Sequence, residues 1–189
     1  MISRNLESEL IEYCAPTLMG IKPAGLFRYH AQSLESLRPT VAGWSERLAP
    51  YGLELRILKI CQKTGDCLIY LYRTQWLRRI FSDGAVRIFL ERMGYQVVRN
   101  PPEMLRQLSW KLFMDQEFPH EIGVFLGYPL EDVEGFIQNG GRNYTCCGCW
   151  KSYGDPEKAE ALFASYRQCT ALCKKWYQNG YTIKQLIAA

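Results

Sequence analysis

The pattern of apolar and polar positions changes character once along the chain. In the first third the apolar runs are short and suit strands, near 23–30, 53–61 and 67–73. Leu53, Leu55 and Ile57 recur at every second position, which gives that strand one apolar face. Lys63-Thr64-Gly65-Asp66 separates it from the aliphatic and aromatic run that follows, so the two are expected to pair as an antiparallel hairpin. From Thr74 onward the spacing is helical. Trp76, Ile80, Val86, Phe89, Leu90 and Met93 recur at helical intervals, with a break at Asp83-Gly84 and a stop at Gly94.

Start and stop signals place the other helices. One spans 5–14 and is expected to end at Ala15-Pro16; another spans 33–48, with Pro39 as an early kink and Tyr51-Gly52 closing it. Pro101-Pro102 opens a helix to about 114, and short helices are expected at 120–126 and 130–137. Residues 139–144 form a loop, and 144–153 a strand or hairpin. Asp155-Pro156-Glu157 is an N-cap aspartate with proline in the first turn, starting a long helix that stops at Asn179-Gly180. Thr182 and Gln185 make a capping box for a last short helix. The expected class is α+β in one domain, 1–189: a β-rich part at 1–73 with a small antiparallel sheet, then a helical part at 74–189.

Composition narrows the function classes. The 189 residues are 48% hydrophobic and 22% charged, which suits a globular chain and excludes a disordered one. A net charge of +4 is small for a dedicated nucleic-acid or membrane-surface binder. The strictly apolar runs fall far short of the ~18 residues needed to span a bilayer. The first residues carry Glu7, Glu9 and Glu12 and lack the basic start and apolar stretch of a secretory signal, so a cytoplasmic protein is expected.

Eight cysteines, at 14, 61, 67, 146, 147, 149, 169 and 173, then matter as thiols rather than disulfides. Five of them fall between Cys146 and Cys173. Cys146 and Cys149 form a C-x-x-C pair, and Cys169 and Cys173 lie four apart on the long helix. Four converging thiolates would hold Zn or an iron–sulfur cluster, with Cys147 as spare ligand or redox neighbour. Against this, Leu162, Tyr166, Cys169, Cys173 and Trp176 have the spacing of a core stripe. A thioredoxin-type site ranks below the metal reading, because the next helix start, Asp155, lies six residues past Cys149. Cys147-Gly-Cys-Trp echoes papain-like nucleophile motifs, but no histidine follows His120.

Residues 121–137 have the outline of a helix-turn-helix, with Ile122, Leu126, Val133 and Ile137 packing and Gly127 turning. Its second helix offers Glu131, Asp132 and Glu134, which phosphates would repel, so it is read as a packed corner and not a DNA reader. Arg78, Arg79, Arg87 and Arg92 near Trp76 and Phe81 make a weak RNA-like face, better explained as a solvated helix surface. There is no phosphate loop and no H-E-x-x-H.

The block His120-Glu-Ile-Gly-Val-Phe-Leu-Gly-Tyr-Pro-Leu-Glu-Asp-Val-Glu-Gly-Phe136 carries a resemblance, together with Gly20-Ile-Lys22, Tyr72-Arg73 and Trp150-Lys151. It resembles a bacterial family of unknown function found mainly in anaerobic, clostridial-type organisms, over most of the chain. The resemblance implies a bacterial cytosolic protein with no agreed activity. That family's pattern around 148–151 includes no fixed cysteine pair, so a metal site there would belong to this member.

Three functions follow as expectations. The first is a thiolate site for Zn or an iron–sulfur cluster on Cys146, Cys149, Cys169 and Cys173. The second is a small-ligand or protein-interaction module built on the 120–136 corner, with an exposed patch at Phe125, Tyr128 and Phe136. The third is an enzyme using His120 with Cys14 or Lys22. His120 could equally cap its helix, His30 closes a strand with no partner in view, and Lys22 and Arg73 sit at strand ends where anions could be held.

Overall fold

Strand β3 (Asp66–Arg73) carries apolar side chains on both faces, so both must be covered, and the layering follows from that. In the computed structural model, which describes residues 5–31, 33–61, 63–114 and 117–188, β3 is the centre of an antiparallel sheet. Its neighbours are β1 (Ala24–His30) and β2 (Leu53–Ile60), in the order β1-β3-β2. Cys67, Ile69 and Leu71 point into one core, shared with α1 (Leu6–Leu18), α2 (Leu34–Leu48), the second half of α8 (Pro156–Gln178) and α9 (Ile183–Ala188). Tyr70 and Tyr72 point into the other. That second core is roofed by α3 (Thr74–Ile80), α4 (Gly84–Arg92), α5 (Pro101–Met114), α6 (Ile122–Phe125) and α7 (Leu130–Gln138).

A β-bulge keeps β2 in phase with these two cores. Ile57 pairs with Ile69 but Lys59 pairs with Leu68, so Leu58 is the extra residue and enters the second core. Ile60 then returns to the first core beside Cys67. The α+β class, the three strands and the hairpin agree with the sequence reading.

Two details of the helices differ from it. α1 runs through Pro16 instead of stopping there. Proline falls in the last turn, where it forfeits one hydrogen bond, and the carbonyls of that turn find other partners. The Arg73 guanidinium donates to the Thr17 and Leu18 carbonyls at 2.8 and 2.7 Å, and the amides of Ile21 and Lys22 donate to the Pro16 carbonyl. Arg73 is therefore a helix cap and not a free anion-binding group. On α8 the buried stripe is Ala159, Phe163, Tyr166 and Cys173, while Leu162 faces out and Cys169 is half-buried. The stripe shifts by one residue because the first half of α8 packs on the β-hairpin of 146–152.

One hydrogen bond and one close contact fasten the helical corner to the sheet. The hydroxyl of Tyr70, fully buried, donates to the Phe125 carbonyl. Gly127, between α6 and α7, has φ +75° and lies directly on the Pro23 ring, where a Cβ would meet Cδ at 2.8 Å. Replacing Gly127 with alanine adds left-handed strain to that clash. Gly127→Ala should lower the unfolding free energy by about 2–4 kcal/mol, read as a reduced urea midpoint at unchanged slope.

At the β2–β3 turn, Asp66 accepts from Arg28 at 2.5 Å and Thr64 at 2.6 Å, and lies 3.3 Å from His30 Nδ1. His30 thus has a partner across the sheet that its place in the sequence does not show. Arg28 first, then Thr64 and His30, hold the Asp66 carboxyl well below the usual carboxylate range. A depressed carboxylate contributes stability that is present above its unfolded pKa of about 4 and is lost as pH falls below it. Asp66→Asn should therefore flatten the acid side of the stability–pH curve and leave its slope above about pH 5 unchanged.

Candidate functional site

α6 is buried along its whole length, and Phe125 packs edge-on against Phe81, with ring centroids 5.2 Å apart, and against Tyr95 at 5.6 Å. The expected exposed patch is thus corrected at Phe125, which belongs to the core. The backbone bond from Tyr70 turns it there. Tyr128 and Phe136 are half-buried and face the hairpin formed by β4 (Cys146–Cys147) and β5 (Lys151–Ser152).

Asp132 holds that hairpin in place. It lies in the first turn of α7 beside Glu131, yet it is buried and accepts four hydrogen bonds. Trp150 Nε1 donates to Oδ2 at 2.7 Å. The Ser152 hydroxyl and the amides of Tyr153 and Gly154 donate to Oδ1 at 3.0, 2.6 and 3.1 Å. A carboxylate can accept this many bonds, which is how it tolerates burial. The sequence reading grouped Asp132 with its exposed acidic neighbours, and no local signal separates it from them. Behind the hairpin, Gly148 lets the Phe163 ring of α8 come against the backbone, where any Cβ would collide.

Trp150 is set in place as a result. Its ring stacks on Tyr128 with centroids 4.6 Å apart, meets Phe163 edge-on at 4.5 Å and stands 6.4 Å from Tyr166. Between corner and hairpin lies a cavity of about 380 Å³, walled by Leu26, Tyr128, Val133 and Trp150. Cys147 and Cys149 line its hairpin side, and His120, Phe118 and Phe136 also border it. The His120 ring packs on Phe136 at 4.8 Å and on Phe118 at 6.4 Å, and caps no helix with its side chain. Lys151 lies over Tyr144 and Phe136 and donates to the Gly141 carbonyl at 2.7 Å.

A larger cleft of about 960 Å³ runs over Asn5, Tyr13, Arg28, His30 and Asp66. It is open and polar, and Arg28, His30 and Asp66 already pair with one another. The smaller cavity has the apolar aromatic walls with a few polar groups that suit a small ligand.

Lys22 connects this site to the core. Its ammonium lies 5.3 Å from the Tyr128 ring and 5.8 Å from the Tyr166 ring. Burial lowers its pKa, while the thiols of Cys14 and Cys149 favour its charge. Cys14 is fully buried, and burial pushes its thiol up to about 12 against the pull of Lys22. Burial, then the neighbouring Cys149, pushes Tyr128 and Tyr166 to about 12 as well. The structure therefore brings Lys22 together with Cys14 and Cys149. His120 forms no hydrogen bond or ion pair with Cys14 or Lys22.

The four cysteines proposed as metal ligands occupy different surroundings. Cys146 is buried against Ala159 and Phe163, its sulfur 3.9 Å from Glu160 Oε1. Cys149 is exposed at the cavity. Cys169 and Cys173 lie one helical turn apart beside the first core, where the neighbouring Cys169, then burial, keeps the Cys173 thiol protonated. Among the described residues no three His, Cys, Asp or Glu side chains form a group that could hold a metal ion.

Fold and site together define an α+β protein with an antiparallel sheet between helical layers and an aromatic cavity at one end of the second layer. The chain belongs to the family described as protein of unknown function (DUF3793), which matches residues 10–187. No curated protein and no solved structure matches it. Among the described residues no helix is long and apolar enough to cross a membrane.

If Asp132 holds the cavity wall, small changes there should be costly. Asp132→Asn sets an amide donor against one of the four donors and should cost about 2 kcal/mol, and Asp132→Ala about 3–4 kcal/mol. Thermal melts would measure both, and the Asn variant should show altered near-UV circular dichroism as Trp150 leaves its seat.

Proposed function

We propose that this protein binds a small, flat, largely apolar molecule in the cavity between the 120–136 corner and the 146–152 hairpin. The observation that carries this reading is the Trp150–Tyr128 stack, fixed by Asp132, which walls a space of about 380 Å³. That volume falls within the range of small-molecule pockets, and a wall ordered before binding costs little entropy when a ligand arrives. Flat rings stack well on such a surface. The eight free cysteines support a reducing, cytoplasmic setting for this activity. The reading is binding and not catalysis: among the described residues His120 packs on the Phe118 and Phe136 rings and makes no hydrogen bond or ion pair that would set it up as a general base. The metal alternative rests on the Cys169–Cys173 pair, which offers two ligands where a tetrahedral ion takes four.

The neutral fluorescent probe N-phenyl-1-naphthylamine tests the reading. It should bind saturably at one site per chain, and Leu26→Trp, which fills the cavity from β1, should weaken it at least tenfold while leaving the protein folded. Probe uptake that never saturates, or equal uptake by Leu26→Trp, would count against the cavity.

A further inference from the structure

Among the described residues Lys22 has no carboxylate counter-charge. Its ionisable neighbours are Cys14, Cys149, Tyr128 and Tyr166, and no carboxylate stands among them. Burial keeps Cys14, Tyr128 and Tyr166 protonated at neutral pH. Most other lysines in the structure have an oxygen partner: Lys59 the Leu112 carbonyl, Lys111 Glu121, Lys151 the Gly141 carbonyl, Lys158 Asp155 and Lys174 Glu12. A half-buried ammonium whose neighbours are aromatic rings and thiols has no full opposite charge, and an anion brought to it gains a charge-assisted hydrogen bond that water would otherwise dilute.

The position of this charge matters. Tyr128 and Cys149, the groups that flank Lys22, are also walls of the cavity. Lys151, the lysine that itself lines the cavity, is already engaged by the Gly141 carbonyl, whereas Lys22 stands beside the wall, next to Tyr128 and Cys149. We propose that the natural occupant of the cavity carries a carboxylate that pairs with Lys22, which makes the ligand class a flat, apolar carboxylic acid. This inference rests on the cavity-binding reading and narrows it.

A matched pair of probes separates the two. Calorimetry with 2-naphthoate and with 2-naphthylmethanol compares the same ring system with and without the charge. The protein should bind 2-naphthoate about tenfold more tightly, the effect of one charge-assisted bond. Lys22→Met and Lys22→Gln should abolish the preference, so that each variant binds 2-naphthoate no more tightly than it binds 2-naphthylmethanol. Lys158→Met, which makes the same change in net charge on the surface, should keep the preference. Equal affinity for both probes in the unaltered protein would overturn the carboxylate and leave the cavity standing. A preference that survives in a folded Lys22 variant would overturn the role of Lys22. Failure of both probes to bind would overturn the cavity reading and this one together.

Discussion

The hydroxyl of Tyr70 lies at the middle of a strand whose two faces are both sealed from water, and it needs a partner there. The Phe125 carbonyl supplies one. The bond is local, but it determines how the roof of helices sits on the sheet. Because β3 alternates Cys67, Ile69 and Leu71 to one core with Tyr70 and Tyr72 to the other, each layer of helices is tied to the same eight residues. A slip of one position would exchange the two sets and leave the tyrosine hydroxyls against α1. Tyr72 guards the register in the same way, since its hydroxyl donates to Glu54 at 2.6 Å and Glu54 also accepts from Thr74.

The site inherits its order from that arrangement one step removed. Tyr70 fixes α6, Gly127 turns the chain on Pro23, and α7 follows with Asp132 pointing inward. Asp132 then gathers a hairpin whose two strands have only two residues each, too short to hold themselves. α8 closes the other side by pressing Phe163 against Gly148. The cavity wall is thus built of a weak element held between strong ones. Such an element is a natural place to accept a ligand, because small shifts of Trp150 need not disturb the sheet.

Much of the fold was legible because it depends on local signals. The strand alternation at Leu53, Leu55 and Ile57, the break at Asp83-Gly84, the cap at Asp155 and the Thr182–Gln185 box all act within a few residues. The exceptions have long-range causes. α1 crosses Pro16 because Arg73, more than fifty residues away, serves its last carbonyls. Asp132 looked like its exposed neighbours because its four donors lie eighteen or more residues further on. The cysteine pairs had plausible spacing, but spacing does not say which way a short hairpin aims each sulfur: Cys146 turns in and Cys147 turns out. Lys22 and Cys149 become neighbours only through the tertiary fold, and no motif joins them.

The placement of Lys22 shows how the core reaches the site. Its amide donates to the Pro16 carbonyl, so its backbone is fixed by the end of α1. That end is fixed in turn by Arg73, the last residue of β3. The lysine side chain therefore leaves from a rigid point and extends between Tyr128, from the corner, and Tyr166, from α8. Three elements that share no sequence proximity converge on one ammonium group. A surface lysine kept only for solubility would need none of this, since a flexible stem in water performs that task from any exposed position. Fixing the stem and ringing the head with aromatic groups removes the freedom that makes lysine cheap to solvate. A charge held so is already ordered for an incoming anion, and the ordering cost has been met by folding instead of by binding.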